Sequence, residues 1–209
     1  IADAQFSLSE QNTSNGTAKG TDGTMGFPVL PSYTSKGGSL SVSGNTVSGT
    51  DENGKKYSIS FSNGKMTSWT YDGKSLININ AGPDFNSYRD VDNDRWITSS
   101  YTADYIFYPD GTVDMKVTFS PSQSLARIGL GMQFASGFEN VEFYARGPRS
   151  NYSDRKTGSY LGRFTTTVDD MVDELIHPQT FGDHEDLREL ILTNKTAGVQ
   201  LGVKVGGRA

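Results

Sequence analysis

Short runs of alternating apolar and polar residues follow one another from Ser39 onward, separated by turn-forming residues at intervals of roughly eight to twelve positions. A period of two sends successive side chains to opposite faces of a strand, so each run predicts a strand with one buried face. Segments 56–61 and 66–71 flank Asn63-Gly64, a strong short-range hairpin signal. Segments 101–108 and 112–119 flank Pro109-Asp110-Gly111 and predict a second hairpin. Runs at 127–135, 141–146, 158–167, 189–193 and 199–205 continue the pattern. Only 167–176 carries a helical spacing, through Val168, Met171, Val172 and Leu175, with Thr167 placed to cap one or two turns ahead of Asp170. The expected class is all-β, an antiparallel β-sandwich.

The stretch before Ser39 reads differently. Residues 1–10 alternate as a single strand, with Ala2, Ala4, Phe6 and Leu8 on one face. Residues 11–38 are rich in Gly, Ser, Thr and Asn without periodicity and read as an extended linker. The predicted organisation is therefore a strand at 1–10, a linker at 11–38 and a sandwich at 39–209.

Composition narrows the function classes. A net charge of -5 over 209 residues, with acids and bases interspersed, argues against a nucleic-acid partner. No run approaches the roughly 20 apolar residues of a membrane-spanning helix. With no cysteine, disulfides and zinc–thiolate sites are excluded, and both cytoplasm and periplasm stay compatible.

The candidate chemistry lies in three places. Val91–Trp96 (VDNDRW) concentrates Asp and Asn, suited to an Asx turn or to a metal or sugar site. It lacks the Gly and closing Glu of a calcium loop, so no metal is expected in this chain. His177 and His184 are too far apart to share one helix face as a metal pair, and no carboxylate is spaced to act with either in a mutarotase-type mechanism. The third place is FYARGPRSNYSDRKTG, Phe143 to Gly158. There Gly147 and Pro148 end an alternating strand, and Asn151, Tyr152, Asp154 and Arg155 follow on the loop. An Arg–Asp pair can lock such a loop or grip adjacent sugar hydroxyls. The residues alone leave both readings open.

Tyr144-x-Arg146-Gly147-Pro148-x-x-Asn151-Tyr152-x-Asp154-Arg155-Lys156 resembles a signature of the C-terminal sandwich of glycoside hydrolase family two β-galactosidases. Here Ala145 and Ser150 stand where that family usually has Gly and Glu. Five further segments are similar in the same order: IADAQFSLSE, FSNGKMTSWTYDGKSLI, FNSYRDVDNDRW, ARIGLGMQF and HPQTFGDHEDLRELILTN.

The resemblance implies a galactose-mutarotase-like supersandwich, with residues 1–10 as the last strand of a preceding immunoglobulin-like domain. It implies that the catalytic glutamates belong to a TIM-barrel domain outside this sequence, so the chain contributes no catalytic residue of its own. The barrel would be its partner and a galactoside would be met indirectly. Arg89, Asp92, Asn93 and Asp94 become candidates for the pocket rim or for anchoring its loop. Arg146, Gly147, Pro148, Asn151, Tyr152, Asp154 and Arg155 become a structural corner. No cofactor is expected in this chain, Mg or Na belonging to the parent enzyme, and homo-oligomer contacts would run through the parent.

Three departures qualify the resemblance. Arg95-Trp96 leads almost at once into a strand where the family inserts a long loop, Thr180 replaces a Glu, and the sequence ends at LGVKVGGRA where the family continues with more strands. A fragment truncated at its C-terminus is the expectation. The alternative function is a free-standing carbohydrate-binding module, which would need an exposed aromatic platform. Trp96, Tyr101 and Tyr152 are the candidates for it, and Trp69, on an alternating strand, is expected in the core.

Overall fold

The computed structural model describes residues 30–87, 100–122, 128–152, 155–174 and 181–206. Thirteen strands run in chain order among them: β1 (Ser39–Ser43), β2 (Thr46–Thr50), β3 (Lys56–Ser62), β4 (Lys65–Tyr71), β5 (Lys74–Ser75), β6 (Asp84–Asn86), β7 (Ser100–Phe107), β8 (Val113–Ser120), β9 (Gly129–Gly131), β10 (Asn140–Gly147), β11 (Tyr160–Thr167), β12 (Glu189–Asn194) and β13 (Val199–Lys204). All their pairings are antiparallel. The fold is all-β, and its larger sheets each have one apolar and one polar face, as the layers of a β-sandwich do. The chain groups into two compact units, one spanning Tyr33–Ser136 and the other built from Gly137 onward.

In the first unit the sheet order is β1-β2-β3-β4-β5. The register sets Val47, Ile59 and Trp69 in one row, and Gly49, Tyr57 and Tyr71 in the next row on the same face. Ser48, Ser58 and Thr70 line the opposite face. The β3–β4 turn is the Asn63-Gly64 hairpin read from the sequence, and both residues take the positive φ that the tight turn demands (49° and 76°). Ile59, Met66 and Ile77 form the buried cluster, and Trp69 packs against it, half-buried, as its strand position predicts. The β7–β8 hairpin pairs from Ser100↔Ser120 to Phe107↔Val113. Its Tyr105 and Phe107 meet Phe61 edge to face at 5.2 and 5.9 Å. Strand β6 pairs with the short β9, the only paired part of the predicted 127–135 run among the described residues apart from an Ile77↔Phe134 bridge.

The second unit holds a sheet in the order β11-β10-β12-β13. Val141, Phe143 and Ala145 of β10 point to the buried face with Leu192 and Leu201. Glu142 and Tyr144 point the other way. Across that outer face Arg163 bridges Glu142 at 2.7 Å and Glu189 at 2.5 Å, with its guanidinium 5.6 Å from the Tyr144 ring centre. The predicted helix after β11 is a single 3₁₀ turn, Asp169–Met171. The N-cap position falls on Val168, which has no side-chain cap, and Thr167 lies one residue before it with its Oγ1 accepting from the Asp170 N–H at 3.2 Å. Val168 and Val172 are exposed there, so no apolar stripe is buried to propagate the helix. Among the described residues no helix is long and apolar enough to cross a membrane.

The β2–β3 connection shows how a turn is held. Asp51 accepts from the Asn53 and Lys55 N–H groups at 2.9 and 2.8 Å and from the Tyr71 hydroxyl at 2.6 Å. The Tyr71 bond holds its carboxyl below the usual carboxylate range, despite burial, and Tyr71 is pushed up to about 12 by the same contact. A depressed carboxyl contributes stability above its unfolded pKa and loses it as pH falls through the folded value. Asp51→Asn is therefore expected to cost about 1–2 kcal/mol in urea denaturation at pH 7. The gap to the wild type should narrow as pH drops below 4, and a gap independent of pH would contradict this account.

Candidate functional site

Strand β10 ends at Gly147, where a side chain has no room, because the next residue, Pro148, has no N–H to continue the ladder. A Cβ on Gly147 would lie 2.7 Å from the Phe164 ring, and Pro148 follows through a cis peptide bond. The chain must then leave the sheet while its backbone groups are still inside the protein, where unsatisfied donors and acceptors are costly.

Asn151 meets that demand. Its side chain is completely buried. Its Nδ2 donates to the carbonyls of Arg146 (3.0 Å) and Arg149 (3.1 Å), and its Oδ1 accepts from the Glu185 N–H at 3.0 Å. Its own N–H donates to the Asp183 carbonyl at 2.8 Å. One side chain thus closes the 146–151 loop and ties it to segment 183–186. His184 adds a second hold on the same point: its Nδ1 lies 2.9 Å from the Arg146 carbonyl, and its ring centre is 4.1 Å from that of Phe143. A carbonyl only accepts, so Nδ1 carries the proton.

The charges follow the same plan. Arg146 Nε donates to Asp186 Oδ2 at 2.5 Å and its Nη1 to the Ser159 carbonyl at 3.2 Å. Both partners are largely shielded, with side-chain exposures of 17% and 7%, so removing either would leave the other charge shielded from water without its counter-ion. Asp186 sits at φ 58°, a conformation that Asp tolerates better than most residues. Lys156 pairs with Glu185 at 3.2 Å. Ser150 donates to Asp173. Burial and the Asp183 and Asp173 carboxylates push the Tyr152 phenol up, which keeps it protonated. Arg155 lies over the Tyr152 ring, 5.2 Å from its centre, while its N–H donates to the Tyr152 carbonyl at 2.8 Å.

Arg146, Gly147, Pro148, Asn151, Tyr152 and Arg155 are therefore brought together around one strand end. Asp154, Arg89, Asp92, Asn93 and Asp94 lie outside the described residues, as do Trp96 and His177. Of the expected aromatic platforms, Tyr152 has Arg155 over its ring, and Tyr101 is half-buried with its hydroxyl donating to Asp84 at 3.1 Å. The sequence reading gave Asp186, His184 and Glu185 no part in this corner. Opposite charge in two distant stretches was the available signal: Arg146, Arg149, Arg155 and Lys156 in one, Asp183, Glu185 and Asp186 in the other.

Replacing Asn151 tests the corner. Asn151→Ala should cost about 1–3 kcal/mol by leaving the Arg149 carbonyl and the Glu185 N–H without this partner and the Arg146 carbonyl held by His184 alone. Asn151→Asp should be worse at pH 7 than at pH 4, because an ionised carboxylate would face two carbonyl oxygens and a protonated one can donate to either. Denaturation midpoints at the two pH values read this directly. Equal stability of Asn151→Asp and the wild type at pH 7 would contradict it.

A family model described as the β-galactosidase small chain matches residues 96–206, more than half of the chain. The β-galactosidase of Priestia megaterium is 34% identical over 104 residues, which cover 48% of this chain and 10% of that protein. The β-galactosidase of Halalkalibacterium halodurans is 30% identical over 104 residues, covering 46% of this chain and 10% of that protein. That of Staphylococcus xylosus is 40% identical over 73 residues, 35% of this chain and 7% of its own length. The aligned segment spans a tenth or less of each of these relatives. The chain belongs to the β-galactosidase small-chain family.

Proposed function

We propose that this chain is a non-catalytic sandwich domain of a β-galactosidase that hydrolyses terminal β-D-galactosides, packing on a TIM-barrel catalytic domain and shaping the rim of its pocket. The observation that carries this reading is the small-chain family match at 96–206, combined with relatives some tenfold longer than the aligned segment. The rim role falls to Arg89, Asp92, Asn93 and Asp94, whose sequence context resembles the loop that leads to that rim. Any Mg or Na the parent uses would be held in its catalytic part.

The described carboxylates support a structural role. Glycoside hydrolysis needs two carboxyl groups flanking the scissile bond, one kept protonated by a raised pKa. Asp186 faces Arg146, Glu185 faces Lys156, and Glu142 and Glu189 share Arg163. Arg163 holds Glu189 below the usual carboxylate range. That contact favours the ionised form of Glu189, the opposite of what a general acid requires. The fixed corner would act by keeping its neighbours in place.

The purified chain should neither hydrolyse a chromogenic β-galactoside nor show saturable binding of galactose by calorimetry. Turnover by the chain alone would contradict the non-catalytic reading. Saturable binding in the micromolar to millimolar range would favour a carbohydrate-binding module instead.

A further inference from the structure

Residues 33–38 end the Gly- and Ser-rich stretch and carry no strand, yet they belong with the first unit. Four contacts fix them. The Tyr33 hydroxyl donates to Asp110 Oδ2 at 2.7 Å, and the Lys36 N–H donates to the same oxygen at 2.9 Å. Thr112 Oγ1 donates to the Tyr33 hydroxyl at 3.1 Å, and the Tyr33 ring meets Tyr108 edge to face at 4.9 Å. Beyond them the Tyr57 hydroxyl donates to the Ser39 carbonyl at 2.9 Å and lies 3.3 Å from the Tyr108 and Pro109 carbonyls. Tyr57 thus joins the first residue of β1 to the β7–β8 turn.

The path is built for glycine at its closest approach. Gly38 takes φ 104°, and a Cβ there would stand 2.3 Å from the Pro109 carbonyl oxygen and 2.5 Å from that of Thr50. Asp110 also serves its own turn, since its Oδ1 accepts from the Thr112 N–H at 3.0 Å. Burial raises the Asp110 carboxyl, but the Lys36, Tyr33 and Thr112 hydrogen bonds prevail and hold it at about 2. The carboxylate is therefore ionised at neutral pH, and its bonds are charge-assisted.

We propose that residues 33–38 form a strap closed over the β7–β8 turn, with Asp110 as its clasp, and that opening the strap loosens edge strand β1. The strap sets the direction from which the chain enters β1, an edge strand whose five residues are all exposed and uncharged. Such an edge invites pairing with other chains. Holding its first residue against a hairpin limits its fraying. This inference concerns the first unit alone and does not depend on the β-galactosidase reading.

Amide hydrogen exchange on the whole chain tests the strap. Tyr33→Phe removes the hydroxyl shared by Asp110 and Thr112 and leaves the Asp110 turn intact. Asp110→Asn removes the charge, and Gly38→Ala blocks the close approach. In all three, the Lys36 amide should exchange at least about tenfold faster than in the wild type, accompanied by the amides of β1. The amides of β4, in the same unit as the strap, should be unchanged and report that this unit is folded in each variant. In Tyr33→Phe the Thr112 amide should remain protected. Unchanged Lys36 exchange in folded Tyr33→Phe would overturn the clasp. Faster Lys36 exchange without any change in β1 would overturn the coupling.

Discussion

A strand that ends inside a protein leaves backbone donors and acceptors that water cannot reach, and in this molecule side chains take them up. The buried polar side chains among the described residues are Asp51, Asn151, Asp186 and Asn194, and all stand at turns or strand ends. Asp51 gathers the N–H groups of the β2–β3 turn. Asn151 closes the loop after β10. Asn194 accepts from the Ala197 N–H at 2.8 Å where β12 turns into β13. Asp186 holds the arginine at the end of β10. Sheets with one wet face need little beyond alternation along their length, and specificity concentrates where they stop.

The corner after β10 shows the consequence for function. Asn151, His184 and Arg146 join the strand end to segment 183–186 through an amide, an imidazole and a guanidinium. Each group is occupied in holding backbone or countercharge, so the corner is fixed at several points. The outer-face pairs around Arg163 are exposed and add little stability, though they align three strands.

The strands were legible because their signals are local. Asn63-Gly64 and Pro109-Asp110-Gly111 announced their hairpins, and the alternation of Val141, Phe143 and Ala145 gave the buried face of β10. Both residues of the Arg146–Asp186 pair were visible, but 40 positions separate them and nothing local says which acid meets which base. Asn151 could be placed on a loop, whereas its complete burial depends on a segment more than thirty residues later. Tyr33 and Lys36 lie in a stretch whose composition reads as linker, because its glycines read as flexibility, whereas the structure uses Gly38 for close approach. The short β5 and β6 gave no distinct run of their own because two or three residues cannot show a period, and of the 127–135 run the strand β9 keeps only three residues. The family signature around 144–156 carried what local physics could not, namely the kind of protein to which such a corner belongs.

The central claim is that these residues serve as one domain of a β-galactosidase. Intact mass spectrometry of the natural gene product, with turnover of a chromogenic β-galactoside measured on the same preparation, tests it most directly. A mass several times the 22.7 kDa of this chain, together with turnover, is the predicted result. A natural product near that mass and without turnover would contradict it.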